Sequence, residues 1–136
     1  MKKEKFEFLE HTADMKFKAY GKNPDVVFEN AALAVSFYLS RGKTIKSKSK
    51  KLIEVEGEDT EALLYNFLDE ILYLLDAENF AVSKAKVKIK DNKLKAAVYG
   101  DKASSYDLDH IKAATYAEMY IKKTKSGWEA QAVMDV

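Results

Sequence analysis

The 136-residue chain contains no cysteine, which removes disulfides, thiol nucleophiles and the usual thiolate zinc sites. Arg41 is the only arginine among 23 basic residues, so recognition of phosphate or guanine by several guanidinium forks is excluded. Proline occurs once, and the five glycines form no phosphate-cradling loop of the P-loop or dinucleotide type. Excess charge is missing too: 23 basic against 22 acidic residues leave a formal +1. No global field therefore draws in nucleic acid or membrane, although local patches remain open. No stretch approaches 18 consecutive apolar residues, so no membrane span is expected. The opening MKKEKFEF lacks the apolar run of a signal peptide, and a cytoplasmic location is expected. Neither of the two histidines stands in a metal-binding i, i+4 pair, and no serine lies in a nucleophile elbow. A catalytic constellation belonging to this chain alone is hard to assemble.

What is present is enough apolar material for a core. With 47% hydrophobic and 12% aromatic residues, the chain reads as a single domain over residues 1–136. Phe6 and Phe8 alternate over residues 4–9, and Met15, Phe17 and Ala19 alternate over 14–20, as in strands. The polar stretch His11-Thr12-Ala13-Asp14 connects them. A first helix follows, with Asn23 as N-cap, Pro24 at its first position and Asp25 at the positive end of the dipole. Its apolar stripe runs through Phe28, Ala31, Ala32, Val35 and Leu39, and Arg41 and Gly42 mark the exit. Residues 43–51 read as an exposed Lys/Ser loop and 52–56 as a short strand. A second helix runs from the cap Asp59 to Glu78 with a broader apolar face. Lys84–Lys90 and Leu94–Val98 form a hairpin around Asp91-Asn92, followed by a polar loop over 100–110. Two long strands, 111–122 and 128–136, close the chain. The fold class is therefore α+β, a mostly antiparallel sheet with two helices packed on one face.

Strand parity places functional side chains. Ile111, Ala113, Thr115, Ala117, Met119 and Ile121 share the core face of the penultimate strand, with Lys112, Tyr116, Glu118 and Tyr120 on the other. Asp135 falls on that outer face of the last strand, about one cross-strand step from Lys112. Asp14 points away from the core by the same parity, and the carboxylate at Val136 adds a further anionic group. An all-oxygen set suits a hard cation such as Ca²⁺ or Mg²⁺. Spacing alone leaves the plain alternatives open, Asp14 as a turn residue and Asp135 as a solvated penultimate residue.

Four segments in order, the opening HTAD, the helix ending LYLLDAENF, the strand KAATYAEMYI and the terminal GWEAQAVMDV, resemble the archease family over essentially the whole chain. The resemblance implies an archease-like fold and an accessory protein, itself no enzyme, whose partner is an RtcB-type tRNA-splicing RNA ligase. Its implied role is to promote guanylylation and multiple turnover of the ligase. It implies a divalent cation held by acidic residues, Ca²⁺ first with Mg²⁺ or Mn²⁺ as alternatives. By motif the ligands are Asp14, Asp135 and Val136, and Lys112 is associated with activity. Relatives often carry His where Ala117 stands, and parity makes this a core packing substitution.

His11 reads either as a partner orienting Asp14 or as a turn histidine, and His110 as a surface residue. Tyr116 and Tyr120 are candidate partner-contact aromatics near Lys112. The lysine row 84–90 reads as the wet face of a sheet, with contact to RNA or an acidic partner as the alternative. Neutral net charge argues against strong direct nucleic-acid binding. Two other classes remain: a metal-dependent hydrolase, for which no general base is evident beside the carboxylates, and a chaperone-like RNA- or protein-binding module for other tRNA-processing enzymes.

Overall fold

The computed structural model describes residues 4–11 and 13–136. Eight strands and two helices follow in the order β1 (Phe6–Leu9), β2 (Asp14–Gly21), α1 (Pro24–Leu39), β3 (Ser49–Glu56), α2 (Thr60–Glu78), β4 (Phe80–Lys90), β5 (Lys93–Lys102), β6 (Ala113–Ala114), β7 (Tyr120–Thr124) and β8 (Gly127–Asp135). The expected antiparallel sheet is two antiparallel sheets. Five strands form one, ordered β1-β2-β8-β6 with β7 also on β8, and three form the other, β3-β5-β4. One apolar core joins the inner faces of both sheets to both helices.

Local chemistry explains the helices. The Asn23 side chain accepts from Val26 N–H and Pro24 takes the first position of α1, while Asp59 accepts from Ala62 N–H at the start of α2. Each such cap is worth about 1 kcal/mol. Asn79 closes α2 in the left-handed region at φ 52°, a conformation asparagine tolerates. Asp91 and Asn92 adopt φ 52° and 59°, as a two-residue turn matched to strand twist requires. Gly127, at φ +140°, starts β8 where a Cβ would lie 2.6 Å from the Gly21 carbonyl oxygen.

Helix α1 also seals a sheet edge. Glu29 accepts from Val87 N–H at 2.8 Å and Asp25 from Ile89 N–H at 3.1 Å, so two carboxylates satisfy the free edge of β4. Unpaired edge donors otherwise invite another strand.

Strand β4 begins at Phe80, four residues before the expected start, and three other boundaries differ from the sequence reading. Strand β3 begins at Ser49, inside the expected Lys/Ser loop, and Ile45 in the remaining loop is buried. Strand β5 runs on to Lys102 and is followed by a 3₁₀ turn over Ala103–Ser105, where a polar loop was expected. The third difference shapes the site. The expected continuous strand 111–122 is interrupted, with Ala114 paired to Met134 and Tyr120 to Gln131. Residues 115–119 thus oppose only Ala132 and Val133, and they bow out of the ladder, with Glu118 meeting Gln131 of β8 and Tyr116 meeting Tyr65 of α2. Thr115 Oγ1 donates to the Val133 carbonyl and Gln131 Nε2 to the Glu118 carbonyl. That cover explains why Gln131 and Val133, which alternate with core-facing Ala130, Ala132 and Met134, are still only 7% and 1% exposed.

Candidate cation-binding edge

The site grows from strand register. Asp14 opens β2, Asp135 closes β8, and the two are direct cross-strand partners. Paired residues in an antiparallel ladder project from one face with Cβ atoms about 4.5–5.5 Å apart. On the other flank of β8, Ala113 is the partner of Asp135, and Lys112 N–H donates to the Asp135 carbonyl at 2.7 Å. Three chain segments remote in sequence therefore meet at one sheet end. Val136 packs its side chain against the core, which anchors the backbone beside Asp135. The Lys112 side chain is exposed and has no ion pair among the described residues. The expected shared face of Lys112 and Asp135 is not found. Ala113, expected in the core, is the cross-strand partner of Asp135 and shares its face, and Lys112 is linked to Asp135 through the main chain.

His11 sits between two carboxylates. Its Nε2 lies 2.9 Å from Glu118 Oε2, and its Nδ1 lies 3.5 Å from Asp14 Oδ2. Nδ1 is buried without a hydrogen-bond partner. Glu118 also accepts from Lys16 Nζ at 2.9 Å. Hydrogen bonds from Lys16 and then His11 hold its carboxyl below the usual carboxylate range. Ala13 and Glu118, neither of them glycine, adopt left-handed φ of 64° and 52° beside the site. Such strain persists only where surrounding contacts over-determine it. Thr12, the hydroxyl of the sequence motif, lies outside the described residues.

An open cleft of about 480 Å³ adjoins this edge, lined by Glu10, His11, Asp14 and Lys16 together with Phe8 and Tyr38. Burial, reinforced by the nearby Asp109 carboxylate, pushes the Tyr38 phenol up. Tyr116 is 56% exposed and its ring stacks on Tyr65 of α2, with centroids 4.3 Å apart and planes 4° from parallel. That contact ties the 115–119 excursion to the helix.

Two further expectations are corrected here. Ala117 is exposed rather than core-facing, because the chain leaves the strand at Thr115 and parity no longer applies. Tyr120 is half-buried and donates to Glu129, so it is no free contact aromatic. His110 is exposed as expected. Glu118 received no role from the sequence, because a continuous strand makes it one more outward polar residue. The only signal was its place in KAATYAEMYI.

The donor chemistry fits a hard cation in part. Two opposed carboxylates can share an ion with oxygen contacts of about 2.3–2.6 Å. Among the described residues no group of three or more His, Cys, Asp or Glu side chains is placed to hold a metal. The remaining ligands of a six- to eight-oxygen shell must then be carbonyls, water, oxygen from Val136 or groups from a partner. No helix among the described residues is long and apolar enough to cross a membrane.

Known proteins with this arrangement of segments can be compared directly. The archease protein from Pyrococcus furiosus is 41% identical over 139 residues, covering 96% of this chain and 98% of that one. Archease from Methanosarcina barkeri is 38% identical over 142 residues, covering 96% and 95%. The solution structure of Methanobacterium thermoautotrophicum protein 1598 superposes with a TM-score of 0.78 at 31% identity, covering 97% of this chain and 99% of that one. The family model described as the Archease protein family (MTH1598/TM1083) matches residues 6–136, from the first strand through Asp135 and Val136, and so this chain belongs to the archease family.

Proposed function

We propose that this protein is an accessory factor of an RtcB-type RNA ligase, without a reaction of its own, that promotes the ligase's guanylylation and repeated turnover. The observation that carries the reading is the direct pairing of Asp14 with Asp135 at an exposed sheet end. Like charges placed directly opposite destabilise a ladder, and a cation between them relieves that cost. Asp14, Asp135 and Val136 would hold a divalent ion, Ca²⁺ by preference with Mg²⁺ or Mn²⁺ as alternatives. Such an ion supplies positive charge to phosphate oxygens. Lys112, beside Asp135, offers a point charge for a phosphate and limits the anionic charge of the empty edge. His11 orients Asp14 and ties it to Glu118. Tyr116, exposed and already stacked, is a rigid aromatic contact of the kind enriched at interfaces.

The test is multiple-turnover ligation by an RtcB-type ligase with and without the protein. Wild type should raise turnover, and Asp14→Ala and Asp135→Ala should abolish the gain while circular dichroism stays unchanged. Full stimulation by both variants rejects the reading.

One observation favours a second reading, a metal-dependent hydrolase. His11, within 3.5 Å of Asp14, would serve in this reading as the general base, a role the sequence did not give it. Incubation of the protein alone with Mn²⁺ and RNA or nucleotides decides it: hydrolysis lost in His11→Ala supports this reading, and no turnover discards it.

A further inference from the structure

We propose that the outer face of the β3-β5-β4 sheet binds the phosphate backbone of single-stranded RNA. This inference does not rest on the ligase role or on the cation-binding edge, which belongs to the other sheet.

The register arranges this face in four cross-strand rows. Lys50, Tyr99 and Lys84 form the first, and Leu52, Ala97 and Lys86 the second. Glu54, Lys95 and Lys88 form the third, and Glu56, Lys93 and Lys90 the last. The alternate residues, among them Ile53, Val87, Leu94, Ala96 and Val98, are buried in the core. Seven lysines stand against two glutamates, a local excess of five positive charges. The chain as a whole carries only +1, so the rest of the molecule is net negative by four. The near-neutral total conceals a segregated face.

Neither usual explanation of surface lysines accounts for it. Edge lysines deter strand addition, but Lys93 and Lys95 lie on the central strand β5, and the edge of β4 is already closed by Glu29 and Asp25. A face built only for solubility intersperses both signs. Here Lys88 faces Lys95 and Lys90 faces Lys93 directly across β4 and β5, a like-charge pairing that costs stability. Among the described residues, Lys95 alone of the seven is ion-paired, to Glu54 at 3.5 Å. Lysines that repel one another are relieved by an anion with several charges.

The composition favours nucleic acid over a protein. Protein interfaces are depleted in lysine at their core, and this face has one large apolar side chain, Leu52, at 77% exposure. Lysines on alternate positions of adjacent strands, without arginine, contact phosphates as point charges and do not read bases. Tyr99 lies on the same face with Lys84 Nζ 5.4 Å from its ring centroid, the pairing of aromatic and cation that single-strand binders use for stacking.

The test is fluorescence anisotropy of a labelled, unstructured oligoribonucleotide of roughly 15 nucleotides titrated with the full chain across a salt series. Binding should weaken steeply with salt, by about 0.7 in log–log slope per phosphate neutralised. The triple variant Lys86→Gln/Lys88→Gln/Lys95→Gln should bind about tenfold or more weakly, with its slope shallower by about 2. Lys122→Gln/Lys123→Gln, on the other sheet, should match wild type. Thermal melts of both variants verify folding. No binding at low salt, or a triple variant that binds like wild type, overturns the proposal. Competition by polyglutamate as effective as unlabelled RNA at equal charge would instead assign the face to an acidic protein surface, and overturns it equally.

Discussion

His11 and Glu118, 107 positions apart, meet at 2.9 Å across the bow that interrupts the penultimate strand. The contact joins the first hairpin to the 115–119 excursion, and Lys16 completes it from β2. Because the Glu118 carboxyl is held below its ordinary value of 4.5, its contribution to the fold is fully present above that value. It is lost as pH falls through the lower folded-state pKa. Carbon-detected NMR titration of Glu118 should give a midpoint below 4.5, and Lys16→Met should move it upward. A midpoint indifferent to that substitution contradicts the assignment of Lys16 as the main cause.

The Tyr65–Tyr116 stack predicts an energetic coupling. A double-mutant cycle by urea denaturation, with Tyr65→Ala, Tyr116→Ala and the pair, should return about 0.5–1.5 kcal/mol. Additive single effects would mean that the rings are adjacent without interacting.

Much of this architecture is legible because its causes are local. Asn23, Pro24 and Asp59 announce helix starts through their own side-chain and backbone chemistry, and Asp91-Asn92 announces a turn through its tolerance of positive φ. The alternation of Lys84–Lys90 states a half-buried strand. Asp135 and the segment at Lys112 could be brought together because register in a hairpin follows from alternation and turn position, whereas Asp14 joins them only through the family resemblance. The bow at 115–119 was not legible. TYAEM contains no glycine, proline or asparagine, and Glu118 takes its left-handed backbone with no residue suited to it. Tertiary contacts hold it there: Gln131 to its carbonyl, and His11 and Lys16 to its carboxylate. The division into two sheets was hidden for the same reason, since strand alternation does not say which strands pair.

Ala117 tests the corrected geometry. As an exposed residue on the bow, it should accept Ala117→His with a change within about ±0.5 kcal/mol. A core-facing alanine would instead cost about 1–3 kcal/mol through overpacking. Equilibrium denaturation distinguishes the two.

The edge seal by α1 carries its own expectation. Glu29→Ala leaves the Val87 N–H of β4 without its acceptor, which should cost about 1–3 kcal/mol and increase self-association. Denaturation paired with light scattering measures both. A variant as stable and monodisperse as wild type would mean that water replaces the carboxylate at no cost.

The central claim is that Asp14 and Asp135 act as one cation-holding unit, and thermal unfolding in chelator and in Ca²⁺ tests it most directly. In chelator, Asp14→Asn should melt at or slightly above wild type, because removing one of two opposed charges relieves about 0.2–1 kcal/mol. Saturating Ca²⁺ should then raise the wild-type melting temperature, the folded state gaining about 2.7 kcal/mol at a hundredfold excess over Kd, and leave Asp14→Asn unmoved. A wild type indifferent to Ca²⁺, or a variant stabilised equally, would contradict the account.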